Sequence, residues 1–205
     1  PFGLMFSTGM MESSMKKIEM VENYEIFELM LRFIYSGQSK FLRDLNINDV
    51  LVPLLTMADR FAVYPLRTVL SDIFAEFINL DSVCVLVNIA TFYGLTTLRR
   101  KCLQFIETHF SQVVESEAFL ELEAGPLLEI IFGDDLVVPS EKDVFDALMT
   151  WGVGSVSSPK SQSLADSFQE SFNNDEKTQR LAELKQLLSY VRYPLIDQRS
   201  LQSIL

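Results

Sequence analysis

Apolar residues recur at helical spacing along most of this chain, and that pattern limits its possible folds more than any other feature. Ile26, Leu29, Met30, Phe33 and Ile34 fall at i, i+3, i+4, i+7 and i+8, the stripe of an amphipathic helix. Gly37 supplies its stop signal, and Glu28 and Arg32 lie outside it at i, i+4, the favourable order for an ion pair. A second helix is expected near 48–61, with Asn48 available as its cap and Val50, Leu54, Leu55, Ala58 and Phe61 on one face. Pro53 either lies in its opening turn or marks where the helix begins. Pro65 opens a third, with Leu66, Val69, Leu70, Ile73, Phe74 and Phe77 as its stripe.

The same period continues beyond residue 80. Segments 82–93 and 96–110 read as an antiparallel helix pair. Ser82 or Asp81 caps the first, Gly94 ends it and Thr96 caps the second. Leu98, Cys102, Phe105 and Ile106 face inward, while Arg99, Arg100 and Lys101 read as a solvated basic face. Shorter helices follow near 116–122 and 126–132. Ser140 and Asp143 form a capping box with Asp in place of the usual Glu or Gln, ahead of a helix through Val144, Leu148 and Trp151 to Gly152. Residues 153–177 hold seven Ser and read as a mobile loop with a helical turn near Phe168–Phe172. Helicity returns near 178–191 on Leu181, Leu184, Leu187, Leu188 and Val191, and a last helix is expected over 197–205. One strand is expected, Ile18 to Met20, where apolar and charged residues alternate. The expected fold is therefore all-α in the main, a stack of helical hairpins with one short strand.

The chain carries a formal net charge of -11 over 205 residues. That repels phosphate backbones and anionic membranes, so neither nucleic acid nor membrane is an expected partner. No apolar run reaches the roughly 20 residues of a membrane span. Reactive chemistry is sparse. Cys84 and Cys102 lie in apolar helical patterns and read as buried, reduced thiols of a cytoplasmic or nuclear protein. With one histidine, His109, they offer no metal-ligand spacing, and His109 reads as a cation near a helix C-terminus. No nucleophile elbow or phosphate loop is present. Asp134–Asp135 and Glu115, Glu117, Glu121 and Glu123 read as solvated carboxylates. Catalytic residues, cofactor, metal and small-molecule substrate are therefore all expected to be absent.

Several segments, in order, resemble the BTB–BACK proteins of the kelch-like type. FSTGMMES (6–13) is similar to the late turn of a BTB core, EIFELMLRFIYSG (25–37) to the helix after it, and LLTMADRFAVYPLR (54–67) to its closing helices. LRRKCLQFIETHFSQVVESEAFLEL (98–122), SEKDVFDALMTW (140–151) and VRYPLI (191–196) resemble successive marks of a BACK domain. The resemblance implies a partial BTB/POZ domain over 1–79 that lacks its first half, and a BACK domain over 80–205. It implies a protein-interaction module, most concretely a substrate adaptor that binds a cullin-3-type scaffold for ubiquitin transfer. A homodimer would form through the part of the BTB domain that is missing. The family's hydrophobic-x-Glu cullin contact falls on Met10 and Glu12, and the helix pair at 82–110 extends that contact in such proteins. The alternative is a BTB–BACK dimerisation or corepressor scaffold that does not engage cullin.

Overall fold

The computed structural model describes residues 23–133, 135–154 and 175–196. The expected strand at Ile18–Met20, the turn at Phe168–Phe172 and the helix over 197–205 lie outside the described residues. Within them every regular element is helical and no strand occurs. The chain divides into two compact units, one ending at Phe74 and the other beginning at Ala75.

In the first unit, helix α1 spans Tyr24–Ser36. Asn23 caps it: its side-chain oxygen accepts from the backbone N–H groups of Glu25 at 3.0 Å and Ile26 at 3.4 Å. Gly37 closes it in the left-handed region, at φ 66°, where glycine carries no Cβ penalty. Ile26, Met30 and Phe33 are buried as expected, but Ile34 is 44% exposed. A 3.6-residue period turns position 34 about a quarter-turn away from the direction shared by Ile26, Met30 and Phe33. The expected Glu28–Arg32 pair does not form; the Arg32 guanidinium instead lies over the Phe41 ring, 4.3 Å from its centroid.

The next helix starts differently from the sequence expectation. Its cap is Asn46, not Asn48: the Asn46 side chain accepts from Asn48 at 2.8 Å and Asp49 at 3.2 Å. A π-turn over Ile47–Leu51 leads into α2, Val52–Arg60, with the Val52 N–H reaching back to the Ile47 carbonyl. Pro53 occupies the opening turn of α2. Its ring excludes the carbonyl four residues back and it has no N–H to give, so the wider turn ahead of it accommodates the fault. Leu51, Leu54, Leu55 and Ala58 are fully buried. The exit passes through Ala62, a residue with a side chain held at φ 53°, which costs roughly 1 kcal/mol. Helix α3, Tyr64–Glu76, follows with Leu66, Leu70, Ile73 and Phe74 inside, and Arg67 pairs with Asp59 at 3.0 Å.

The second unit is built on a helical hairpin, α4 (Val83–Phe92) and α5 (Thr96–Val114). Gly94, at φ 64°, makes the turn. Neither expected cap holds. Ser82 turns its hydroxyl to the Phe77 carbonyl at 2.6 Å, and α5 opens from Leu95 with no side-chain cap. Cys84, Val87 and Ala90 of α4 and Leu98, Cys102 and Ile106 of α5 are all fully buried. A 3-10 turn (Glu117–Glu121), α6 (Ala124–Phe132), α7 (Glu141–Gly154), α8 (Asp175–Leu188) and a final 3-10 turn (Tyr193–Leu195) complete the unit. The capping box ahead of α7 forms: Ser140 N donates to Asp143 Oδ2 at 3.1 Å and Asp143 N to Ser140 Oγ at 3.4 Å. Helix α8 begins inside the stretch expected to be loop, and it lays Leu184 and Leu187 on α7, while Leu181 faces out at 47% exposure.

Candidate partner-binding site

The best-built surface of the second unit surrounds the segment 117–123, which three helices hold by its backbone. Asn88 of α4 donates Nδ2 to the Glu121 carbonyl at 2.7 Å and accepts the Glu123 N–H at 3.1 Å. The buried Trp151 of α7 donates Nε1 to the Leu122 carbonyl at 2.7 Å. Arg180 of α8 donates to the Leu120 carbonyl at 2.6 Å and stacks its guanidinium over the Trp151 ring, 4.1 Å from the centroid. Three consecutive carbonyls thus take donors from three different helices, which fixes a segment too short to fold on its own.

That bracing steadies the α4–α5 hairpin. The outer side of α4 carries Val85, Ile89 and Phe92 at i, i+4 and i+7, none of them buried, and Phe92 is 72% exposed. The basic triplet on α5 divides. Arg99 is not part of a solvated face. Its Nη1 donates to Glu129 Oε1 at 3.0 Å, its Nη2 to Glu129 Oε2, and its Nε to Thr91 Oγ1 at 3.1 Å. The hydrogen bonds to Glu129 raise the guanidinium pKa further above its ordinary value. Only Arg100 and Lys101 remain exposed beside the hairpin turn.

His109 stands near the end of a helical stretch, as expected, because α5 is two helices joined at that residue, the second running on to Val114. It sits at a kink, with φ -120° and ψ 24°. Its Nδ1 lies 3.0 Å from the Phe105 carbonyl, and its ring stacks on Phe105 at 4.4 Å between centroids. Thr108, bonded back to the Gln104 carbonyl at 2.9 Å, bends the helix at the same place.

Burial shifts several titratable groups of this unit upward. Burial pushes the Cys84 thiol up to about 12, with lesser contributions from Glu121 and Cys102, and burial alone raises Cys102 to about 12. Both are therefore protonated near neutrality and poor nucleophiles. Glu107 titrates above the usual carboxylate range because it is partly buried and faces Asp135 and Glu129. Glu123 is raised by burial and then by Glu183. Among the described residues no cluster of His, Cys, Asp and Glu could hold a metal ion, and no helix is long and apolar enough to cross a membrane.

Met10 and Glu12 lie outside the described residues. Sequence reasoning missed Asn88, Trp151 and Arg180 as a group. The signal for Asn88 was its isolation: it is the one amide in the apolar run VCVLVNIATF, and such a residue needs a partner.

Two family models match the sequence. BTB/POZ domain covers residues 2–78, and BACK, "BTB And C-terminal Kelch", covers 83–164. Among curated relatives, BTB/POZ domain-containing protein 9 of Homo sapiens is 31% identical over 127 residues, 62% of this chain and 20% of that protein. A BTB/POZ domain-containing protein of Arabidopsis thaliana is 27% identical over 206 residues, 99% of this chain and 26% of that protein. Kelch-like protein 7 of Mus musculus is 26% identical over 151 residues, 73% of this chain and 25% of that protein. The chain thus spans between a fifth and about a quarter of the length of these relatives.

Proposed function

This chain belongs to the BTB–BACK proteins, whose domains are non-catalytic protein-interaction modules, and from that premise we propose that it acts as a substrate adaptor of a cullin-3-type E3 ubiquitin ligase. In this reading residues 1–79 are the BTB part and 80–205 the BACK domain. The packing of α8 on α7 supports carrying the BACK domain past the end of its family match. Met10 and Glu12 make the cullin contact: an apolar side chain enters a groove of the scaffold and a carboxylate sets its polarity. The helix pair at 82–110 offers the scaffold a second contact of its own.

The observation that carries the proposal is the apolar row Val85, Ile89 and Phe92, half-buried at its first two positions and exposed at its third, on a hairpin that begins five residues after the BTB match ends. Asn88 stands on the same side of α4 as this row, and its hydrogen bonds to the Glu121 carbonyl and the Glu123 N–H hold the helix beside it, which suits the row to receive a partner at little entropic cost. The test is capture of the cullin-3 N-terminal domain by a chain carrying a complete BTB core, with Met10→Asp and Phe92→Ala variants. Capture that Met10→Asp abolishes and Phe92→Ala weakens supports the adaptor reading; no capture by the unaltered chain refutes it. The alternative, a dimerisation or corepressor scaffold, is favoured by the net charge of -11, which suits a basic partner. Affinity purification that brings a basic protein and no cullin decides for the scaffold.

A further inference from the structure

Within the first unit, α1 and the π-turn enclose a groove of about 310 Å³. Ile26, Leu29, Leu45 and Val50 line it with apolar atoms, and Glu25, Glu28 and Arg32 stand along its edge. The volume is at the small end of the range for ligand sites; it suits one large side chain and is small for a cofactor. Leu29, Leu45 and Val50 are only half-buried, so the groove is lined by apolar surface still in contact with water.

The edge is anionic on balance, two carboxylates against the one guanidinium of Arg32. Glu25 and Glu28 are both exposed and lie one turn apart on the same side of α1, where like charges repel. Among the described residues neither carboxylate meets a cation, because the arginine placed to pair with Glu28 lies over Phe41 instead. The groove is preformed: the Asn46 cap and the π-turn fix Val50, and the Ile26 and Met30 packing fixes α1.

From this we propose that the groove docks a short segment of another protein that inserts one apolar side chain and sets Lys or Arg against Glu25 and Glu28. Charge complementarity selects that occupant. A second copy of this chain suits it poorly, since each copy carries a net charge of -11. The inference is independent of the cullin reading, which concerns Met10, Glu12 and the α4 face.

The test uses the full chain and a synthetic peptide with benzoylphenylalanine at its centre and two arginines on either side, photo-crosslinked and mapped by mass spectrometry. A matched peptide with glutamates in place of the arginines is the control. Crosslinks are expected within 25–32 and 45–50, falling with added salt. The Glu25→Gln, Glu28→Gln double variant should weaken binding roughly threefold to tenfold, and Glu25→Arg with Glu28→Arg should transfer preference to the acidic peptide. Binding by Gln104→Ala, at an exposed position of α5, should equal that of the unaltered chain. Crosslinks elsewhere, binding indifferent to both double variants, or no crosslink at saturating peptide each overturn the proposal. So does self-association in sedimentation that the same substitutions abolish, because the occupant is then a second copy.

Discussion

Replacing Asn88 by alanine tests whether the 117–123 segment is held by its side-chain donors and acceptors. The substitution removes the bond to the Glu121 carbonyl at 2.7 Å and the one from the Glu123 N–H at 3.1 Å. Each is worth about 1 kcal/mol net, and the site is half-exposed, so water can re-engage the freed groups without a large burial penalty. Against that loss of about 2 kcal/mol, alanine is a better helix former than asparagine in α4 by about 0.6 kcal/mol. The net expectation is destabilisation of the second unit by about 1.5 kcal/mol. With a urea dependence of about 2 kcal/mol per molar, the midpoint falls by about 0.7 M at unchanged slope. Trp151 is the single tryptophan in the chain, and its indole N–H is bonded to the Leu122 carbonyl in the same segment. Its fluorescence therefore follows the event directly. Gln104→Ala, at an exposed position of α5, is the control and should stay within about 0.5 kcal/mol. A midpoint shift for Asn88→Ala below about 0.2 M would mean that the segment is held by its backbone and by Trp151 and Arg180 alone, and the reasoning would be wrong.

Other consequences can be measured in the same preparations. A Cβ on Gly152 would clash with Leu184 Cδ2 and sit 2.9 Å from its Cδ1 and Cγ, so Gly152→Ala should cost about 1–3 kcal/mol by overpacking, and most of that increment should vanish when Gly152→Ala is made in a Leu184→Ala background and compared with Leu184→Ala alone by urea unfolding. Glu107 has its folded pKa raised by burial and then by Asp135 and Glu129; the folded state therefore binds its proton more readily than the unfolded chain does, and the charged form weakens the fold above that pKa. Glu107→Gln should accordingly raise the melting temperature at pH 7, with the gain fading as pH falls through the folded pKa and gone below about pH 4; a constant gain at all pH values would point to packing instead. Cys84 and Cys102, with thiols at about 12, should react with a disulfide reagent at pH 8 only as fast as the unit unfolds, and rapid labelling of the folded chain would contradict their burial.

Much of the architecture was legible from periodicity. The stripes Leu66, Leu70, Ile73 and Phe74, or Val144, Leu148 and Trp151, are buried as their spacing requires. Stop signals at Gly37 and Gly94 were legible too, because a left-handed backbone needs glycine. Caps were harder. Asn46 and Asn48 are both good capping residues, and the choice depends on where the backbone turns; Pro53 displaced that point toward the N-terminus by imposing a π-turn. Ser82 lost its capping role to a competing acceptor, the Phe77 carbonyl. Charged residues were the least legible. Arg32 and Arg99 were both read from helical geometry alone, and each took a partner from another segment, Phe41 in one case and Glu129 in the other.

By itself the sequence determined that this chain forms helices, which faces they bury and that no poised nucleophile or metal-ligand spacing appears in it. Those properties follow from the period of apolar residues and from residue types, and both are local. Only the tertiary structure decided how the donors of Asn88, Trp151 and Arg180 converge on three successive carbonyls, and why Glu28 is left without the cation four residues away. Such pairings join positions far apart in the chain, or compete with nearer ones, and the outcome depends on distances that exist only once the helices have packed.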